Sequence, residues 1–181
     1  ITVLGGNDGP VAQNDTGTIL EDGTLTVSDG DGTSTISGAS FVDSFDVSGQ
    51  DTAPLDISFN NDGTKMFVLG NAGKDVNEYT LSTGFDVSTA SFVDSFSVNS
   101  QETSPKSISF NNDGTKMFIL GSEGYDVNEY TLSTGFDVST ASFVDSFDVS
   151  SNASNPQAVT FNNDGTKMFV TDTFNKNVNE Y

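Results

Sequence analysis

The chain repeats itself at a fixed interval of 51 residues. Phe41-Val42-Asp43-Ser44-Phe45 returns at 92–96 and 143–147. Phe59-Asn60-Asn61-Asp62-Gly63-Thr64-Lys65-Met66-Phe67 returns at 110–118 and 161–169, and Val76-Asn77-Glu78-Tyr79 at 127–130 and 178–181. No insertion or deletion interrupts the period. Self-similarity of this length means one supersecondary unit copied in tandem, each copy burying an apolar face against its neighbour. The repeat defines three units, 40–90, 91–141 and 142–181, after a non-repeating stretch, 1–39.

Each unit reads as four short strands. Residues 41–47 open the unit. In 55–60, Ile57 and Phe59 alternate with Asp56 and Ser58, the period of a half-buried strand. Residues 64–69 are apolar on both faces, as in a strand lying between two packed layers, and 75–81 form the last strand. Asn61-Asp62-Gly63 between the second and third is a tight-turn signal, because Gly, Asn and Asp tolerate positive φ. No stretch has useful helical periodicity. The expected fold class is all-β, with β-propeller-type blades of four antiparallel strands behind an extended linker.

Charge narrows the partners. Against 26 acidic residues stand six lysines, with no histidine and a net charge of −20. Nucleic acid and anionic lipid need clustered Lys or Arg, so neither is expected as a partner. No apolar run is long enough for membrane insertion as a helix. Cysteine is absent, which removes disulfides and thiolate metal sites. The 15 phenylalanines and the strict period speak against disorder despite the charge.

The pattern Phe-Asn-Asn-Asp-Gly-Thr-Lys-Met-Phe-Val, followed by Val-Asn-Glu-Tyr, resembles the YVTN/NHL-like β-propeller repeats over residues 40–181. That resemblance implies a propeller, whose rings have roughly 4–8 blades. Three blades leave the ring incomplete. Further blades, association of chains, or an open array are the alternatives. Ile1-Thr2-Val3-Leu4-Gly5-Gly6-Asn7-Asp8-Gly9-Pro10, and then Ile19-Leu20-Glu21-Asp22-Gly23-Thr24-Leu25-Thr26-Val27, resemble a VCBS/cadherin-like junction. Such modules occur in large bacterial secreted repeat proteins, which implies an extracellular or cell-surface location. The expectation is therefore an internal piece of a longer polypeptide.

Candidate chemistry is sparse. Calcium takes 6–8 oxygen ligands from closely spaced carboxylates and carbonyls. Asp29, Asp31, Glu21 and Asp22 are the candidates, with Asp8 and Asp15 across the junction; the alternative is a solvated acidic linker. Asp62, Asp113 and Asp164 are explained by their hairpin turns. Lys65, Lys116 and Lys167 are read as balancing nearby carboxylates. Without His, Cys or Arg, serine triads, thiol nucleophiles and arginine clamps are excluded, and the chain is expected to be no enzyme.

Two stretches differ among the units: 48–55, with 99–106 and 150–157, and 70–75, with 121–126 and 172–177. Alternate loops of a meander fall at one end of the sheet, so both variable loops should share a face, and loops on a rigid scaffold are where binding concentrates. That face would present Asp51, Glu102 and Asn152 from one loop set, with Asn71, Glu123, Tyr125, Asp172, Phe174 and Asn175 from the other. Acids, amides and two aromatics suit a glycan or a surface protein. The expected function is a non-catalytic extracellular module for adhesion or surface recognition. The alternative is a structural spacer or self-associating fibre or sheath component.

Overall fold

β-branched and aromatic runs separated by Asn-Asp-Gly turns dictate short antiparallel strands. The computed structural model, which describes residues 40–181, contains them. The first sheet runs in the order β1 (Pro54–Phe59), β2 (Lys65–Gly70), β3 (Asp75–Leu81), β4 (Ala90–Ser97). The second repeats it with β5 (Pro105–Phe110), β6 (Lys116–Gly121), β7 (Asp126–Leu132) and β8 (Ala141–Asp148). The third has β9 (Pro156–Phe161), β10 (Met168–Asp172) and β11 (Asn177–Glu180). These are propeller blades, with β1, β5 and β9 as neighbouring innermost strands.

The hairpin between the first two strands of each blade is built by its own side chains. Gly63 takes φ +70°, the left-handed region that glycine enters freely. Asp62 accepts from both the N–H and the hydroxyl of Thr64, and the Asn60 side chain accepts from Lys65 N. The next loop tightens on it. Phe85 N–H donates to the Gly63 carbonyl, and the Phe85 ring lies where a Cβ on Gly63 would have to go.

The strand expected to open each unit instead closes the sheet before it. Residues 92–96 form the centre of β4, which pairs with β3 in the register Val76↔Phe96 and Tyr79↔Phe92. The matching 143–147 lie in β8. The unit of sequence and the unit of structure are thus offset by one strand. Residues 41–47, the first copy of this segment, belong to no sheet among the described residues.

The core lies between blades. Phe67, Leu69 and Val76 of the first pack with Ile108, Met117, Ile119 and Val138 of the second. Leu120 and Val127 of the second pack with Val159 and Val170 of the third. This sandwiching is why the second strand of each blade, 64–69 in the first repeat, is apolar on both faces.

Candidate functional site

Three of the expected binding residues turn out to be buried loop clamps. Asp51 Oδ1 accepts from Ala53 N at 2.6 Å, and its Oδ2 accepts from Gly73 N at 2.6 Å. Glu102 does the same in the second blade, accepting from Ser104 N and Gly124 N. The third blade has Ala153 at that position, and the carboxylate comes from the other side. Asp172 accepts from Ser154 N, Asn155 N and Phe174 N at 2.9–3.0 Å. Where the acid sits in the first loop, the facing residue is Gly70 or Gly121, whose hypothetical Cβ would run into the carboxylate. One cavity is filled from either wall. Burial alone would raise the Asp172 pKa, but the backbone donors together hold it below its ordinary value.

The variable loops do share one end, tied by Asn71 N→Ala53 O, Ser122 N→Ser104 O and Thr173 N→Asn155 O. Asn71, Glu123, Tyr125, Asn152, Phe174 and Asn175 are exposed there. Tyr125 takes φ 50°, a strained conformation for an aromatic residue. The Asn152 carbonyl accepts from Asn175 Nδ2, which also donates to Asp172. Each hairpin is therefore joined within its own blade. The calcium candidates Asp8, Asp15, Glu21, Asp22, Asp29 and Asp31 lie outside the described residues. Among the described residues, no group of three or more acidic side chains is placed to hold a metal.

Behind this end, burial shifts two further carboxyls. It pushes Asp75 above its ordinary pKa; the Asn77 amide opposes, and the Asp51 charge adds to the rise. Asp126 is raised in the same way by burial, against its bond from Asn128 and with the charge of Glu102.

At the opposite end, a cleft between blades two and three is lined by Phe110, Asn112, Phe118 and Phe161. Its counterpart at the first junction is occupied by the Phe136 ring, which packs on Phe67 and Phe110. At the first junction this position is thus taken by a blade-to-blade aromatic.

A different cleft follows the innermost strands. It is polar, and Asp56, Ser58, Ser107, Ser109, Asn112 and Thr160 line it. Residues two apart on one strand share a face, so β1 (Asp56, Ser58) and β5 (Ser107, Ser109) each turn a short polar stripe towards it, and β9 adds Thr160. Asp56 Oδ2 accepts from Ile108 N at 2.9 Å across the blade junction, and Oδ1 from Ile57 N at 2.9 Å. The equivalent Ser107 accepts from Val159 N at 3.3 Å, and the third position is Ala158. Asp, Ser and Ala at one repeat position break the symmetry, and a lone carboxylate remains beside the cleft. Comparing units outside the loops would have found it: positions 56, 107 and 158 differ as much as the loops do.

No family model matches the chain, and no curated protein matches it. Solved structures do match. A Bacteroides fragilis protein described as a putative 6-phosphogluconolactonase aligns with TM-score 0.55 at 14% identity, over 70% of this chain and 34% of that one. The periplasmic gluconolactonase of Pseudomonas aeruginosa aligns with TM-score 0.52 at 14% identity, over 70% and 34%. A β-propeller domain from Myceliophteria thermophila aligns with TM-score 0.51 at 8% identity, over 69% and 38%. The chain thus spans between a third and two-fifths of these structures' own length. At such identities the likeness establishes the propeller fold.

It also corrects two expectations. Neither the exclusion of an enzyme nor the non-catalytic adhesion or spacer role read from the variable loops and the repeat resemblance stands, because proteins named as gluconolactonases carry this blade arrangement. The exclusion rested on missing His, Cys and Arg. Hydrolysis of an activated ester requires none of them when a carboxylate and water suffice.

Proposed function

We propose that the chain supplies blades to a hydrolase-type propeller whose substrate is a neutral, hydroxyl-rich lactone or ester. The observation that carries the reading is the polar inner-strand cleft with Asp56 as its one symmetry-breaking acid. Asp56 has one lone pair of each oxygen engaged by a backbone N–H and keeps others free. It acts as general base on a water that attacks the ester carbonyl. The carbonyl carbon gains the water oxygen, the ring C–O bond breaks, and the proton passes from Asp56 to the leaving oxygen. Ser58, Ser107, Ser109 and Thr160 supply hydroxyls for the substrate's own. The net charge of −20 favours an uncharged substrate over a phosphorylated one. The YVTN/NHL-like repeat pattern and an extracellular setting are compatible with this reading.

The test is hydrolysis of glucono-δ-lactone followed by pH-stat, with wild-type chain and Asp56→Asn at matched folding by circular dichroism. Wild type should exceed the spontaneous rate, and the variant should fall by about a hundredfold in the catalysed term. No acceleration by folded wild type, or an equal rate in Asp56→Asn, contradicts the reading.

A further inference from the structure

Tyr130 lies in the middle blade of the three, with a described blade on either side. Its ring packs edge-on against Phe96 of the first sheet at 5.4 Å and against Phe143 of its own sheet at 5.8 Å. The residue is 0% exposed, and its hydroxyl has no hydrogen-bond partner. Leaving a buried donor unpaired typically costs more than a hydrogen bond gains. Burial and the charges of Asp126 and Glu102 push the phenol well above its ordinary pKa, so it stays protonated and needs an acceptor.

The surroundings of that hydroxyl follow from the repeat. In the first blade the equivalent Tyr79 donates to Gln50 Oε1 at 3.2 Å, so the tyrosine spans from its strand to the loop residue just before the clamp acid Asp51. In the second blade Gln101 makes no such bond, and the clamp acid is Glu102, one methylene longer than Asp51. Glu102 is itself 0% exposed, and its Oε2 takes one long bond, 3.3 Å, from Gly124 N. Asp126 stands at the same glycine, where a Cβ would meet its Oδ1 at 2.8 Å. Asp126, Asn128 and Tyr130 alternate onto one face of β7, and Asn128 Nδ2 fills one position on Asp126 at 2.9 Å. Two carboxylates with lone pairs to spare thus converge with one hydroxyl that must donate.

We propose that this site binds one water molecule, which accepts from the Tyr130 hydroxyl and donates one hydrogen each to Glu102 and Asp126. The valences close, since a buried water typically makes about three hydrogen bonds to groups otherwise unsatisfied. A metal cation fits less well. It would take the phenol's lone pair and leave the phenol's hydrogen without an acceptor. The water does in the second blade what Gln50 does directly in the first, tying the loop before β5 to β7 beneath the variable-loop end. None of its three partners lines the inner-strand cleft, so the site stands whether or not that cleft hydrolyses a lactone.

High-resolution crystal structures of the full chain, grown with a chelator and again with calcium, test the assignment. Both should show a single peak about 2.7–3.0 Å from Tyr130 Oη and from one carboxylate oxygen each of Glu102 and Asp126. Contacts of about 2.4 Å that appear only with calcium, direct donation to Gln101, or no peak at all would each overturn it. Urea unfolding asks the same question by sign. With the water bound, Tyr130→Phe removes a satisfied donor and should lower the folding constant roughly fivefold. A hydroxyl without an acceptor would instead make Tyr130→Phe neutral or stabilising. Gln101→Ala should leave the constant within about twofold. A loss as large as that of Tyr130→Phe would show that the glutamine, not a water, receives the phenol.

Discussion

At the residue scale, the chain shows how one buried carboxylate can be delivered from either side of a loop pair. Asp51 and Glu102 face glycines, whereas Asp172 faces Ala153. Replacing Asp51 by Ala leaves the amides of Ala53 and Gly73 unpaired and should cost about 2–3 kcal/mol in urea unfolding. Gly70→Asp alone should also destabilise, by collision with Asp51. The double variant Asp51→Ala/Gly70→Asp rebuilds the third blade's arrangement and should recover most of the loss. A double variant worse than either single would contradict the shared cavity. The sequence showed that these positions vary. It did not show that the variation is compensated, because the two walls are about twenty residues apart and meet only in the folded hairpins.

The same end of the blades carries a pH dependence. Asp75 and Asp126 have folded pKa values raised by burial, so their cost grows as pH rises from the ordinary Asp value through the raised one. Asp75→Asn should therefore raise the unfolding midpoint at pH 7, with the advantage fading as pH falls towards about 4. The turn acids have the opposite sign. Hydrogen bonds from the Thr64 hydroxyl and amide lower Asp62, and Thr115 and Thr166 do the same for Asp113 and Asp164. Their contribution is present above the ordinary Asp value and is lost as pH falls through the lowered one. An Asp75→Asn advantage that persisted unchanged at pH 3 would contradict the assignment.

At the scale of elements, one repeated ion pair serves different ends according to what covers it. Lys65–Glu78 and Lys116–Glu129 both close at 2.7 Å, but Glu78 is 2% exposed and Glu129 30%. The difference is the loop carrying Phe136 and Val138, which docks on the first pair. Lys65→Ala leaves a buried carboxylate without its cation and should cost roughly 3 kcal/mol. Lys116→Ala should cost less than about 1 kcal/mol, since its pair remains largely in water. Equal losses in a thermal melt would show that the loop does not seal the first pair. Reading the lysines as partners of nearby carboxylates was available from the sequence. Their unequal burial was not, because identical residues differ only through the neighbouring blade.

At the scale of the molecule, the period revealed the architecture, and the offset between repeat and blade concealed how the blades interlock. Residues 41–47 looked like a first strand because the repeat begins there. The copy at 92–96 instead closes the sheet before it, because Phe96 pairs with Val76 and Phe92 with Tyr79. The polar cleft stayed hidden for a related reason. Asp56 and Ser58 read as the wet face of one strand, and only the meeting of β1, β5 and β9 brings them to one space with Ser107, Ser109 and Thr160.

The most direct test of this interlocking is hydrogen exchange by mass spectrometry on the wild-type chain at low concentration. The same Phe-Val-Asp-Ser-Phe sequence is then observed three times in one experiment. Peptides from β4 and β8 should retain protection at the amides that pair with β3 and β7, while residues 41–47 exchange at least tenfold faster. Protection that is equal across the three copies, or absent from β4 and β8, would contradict a blade closed by the strand that opens the next repeat.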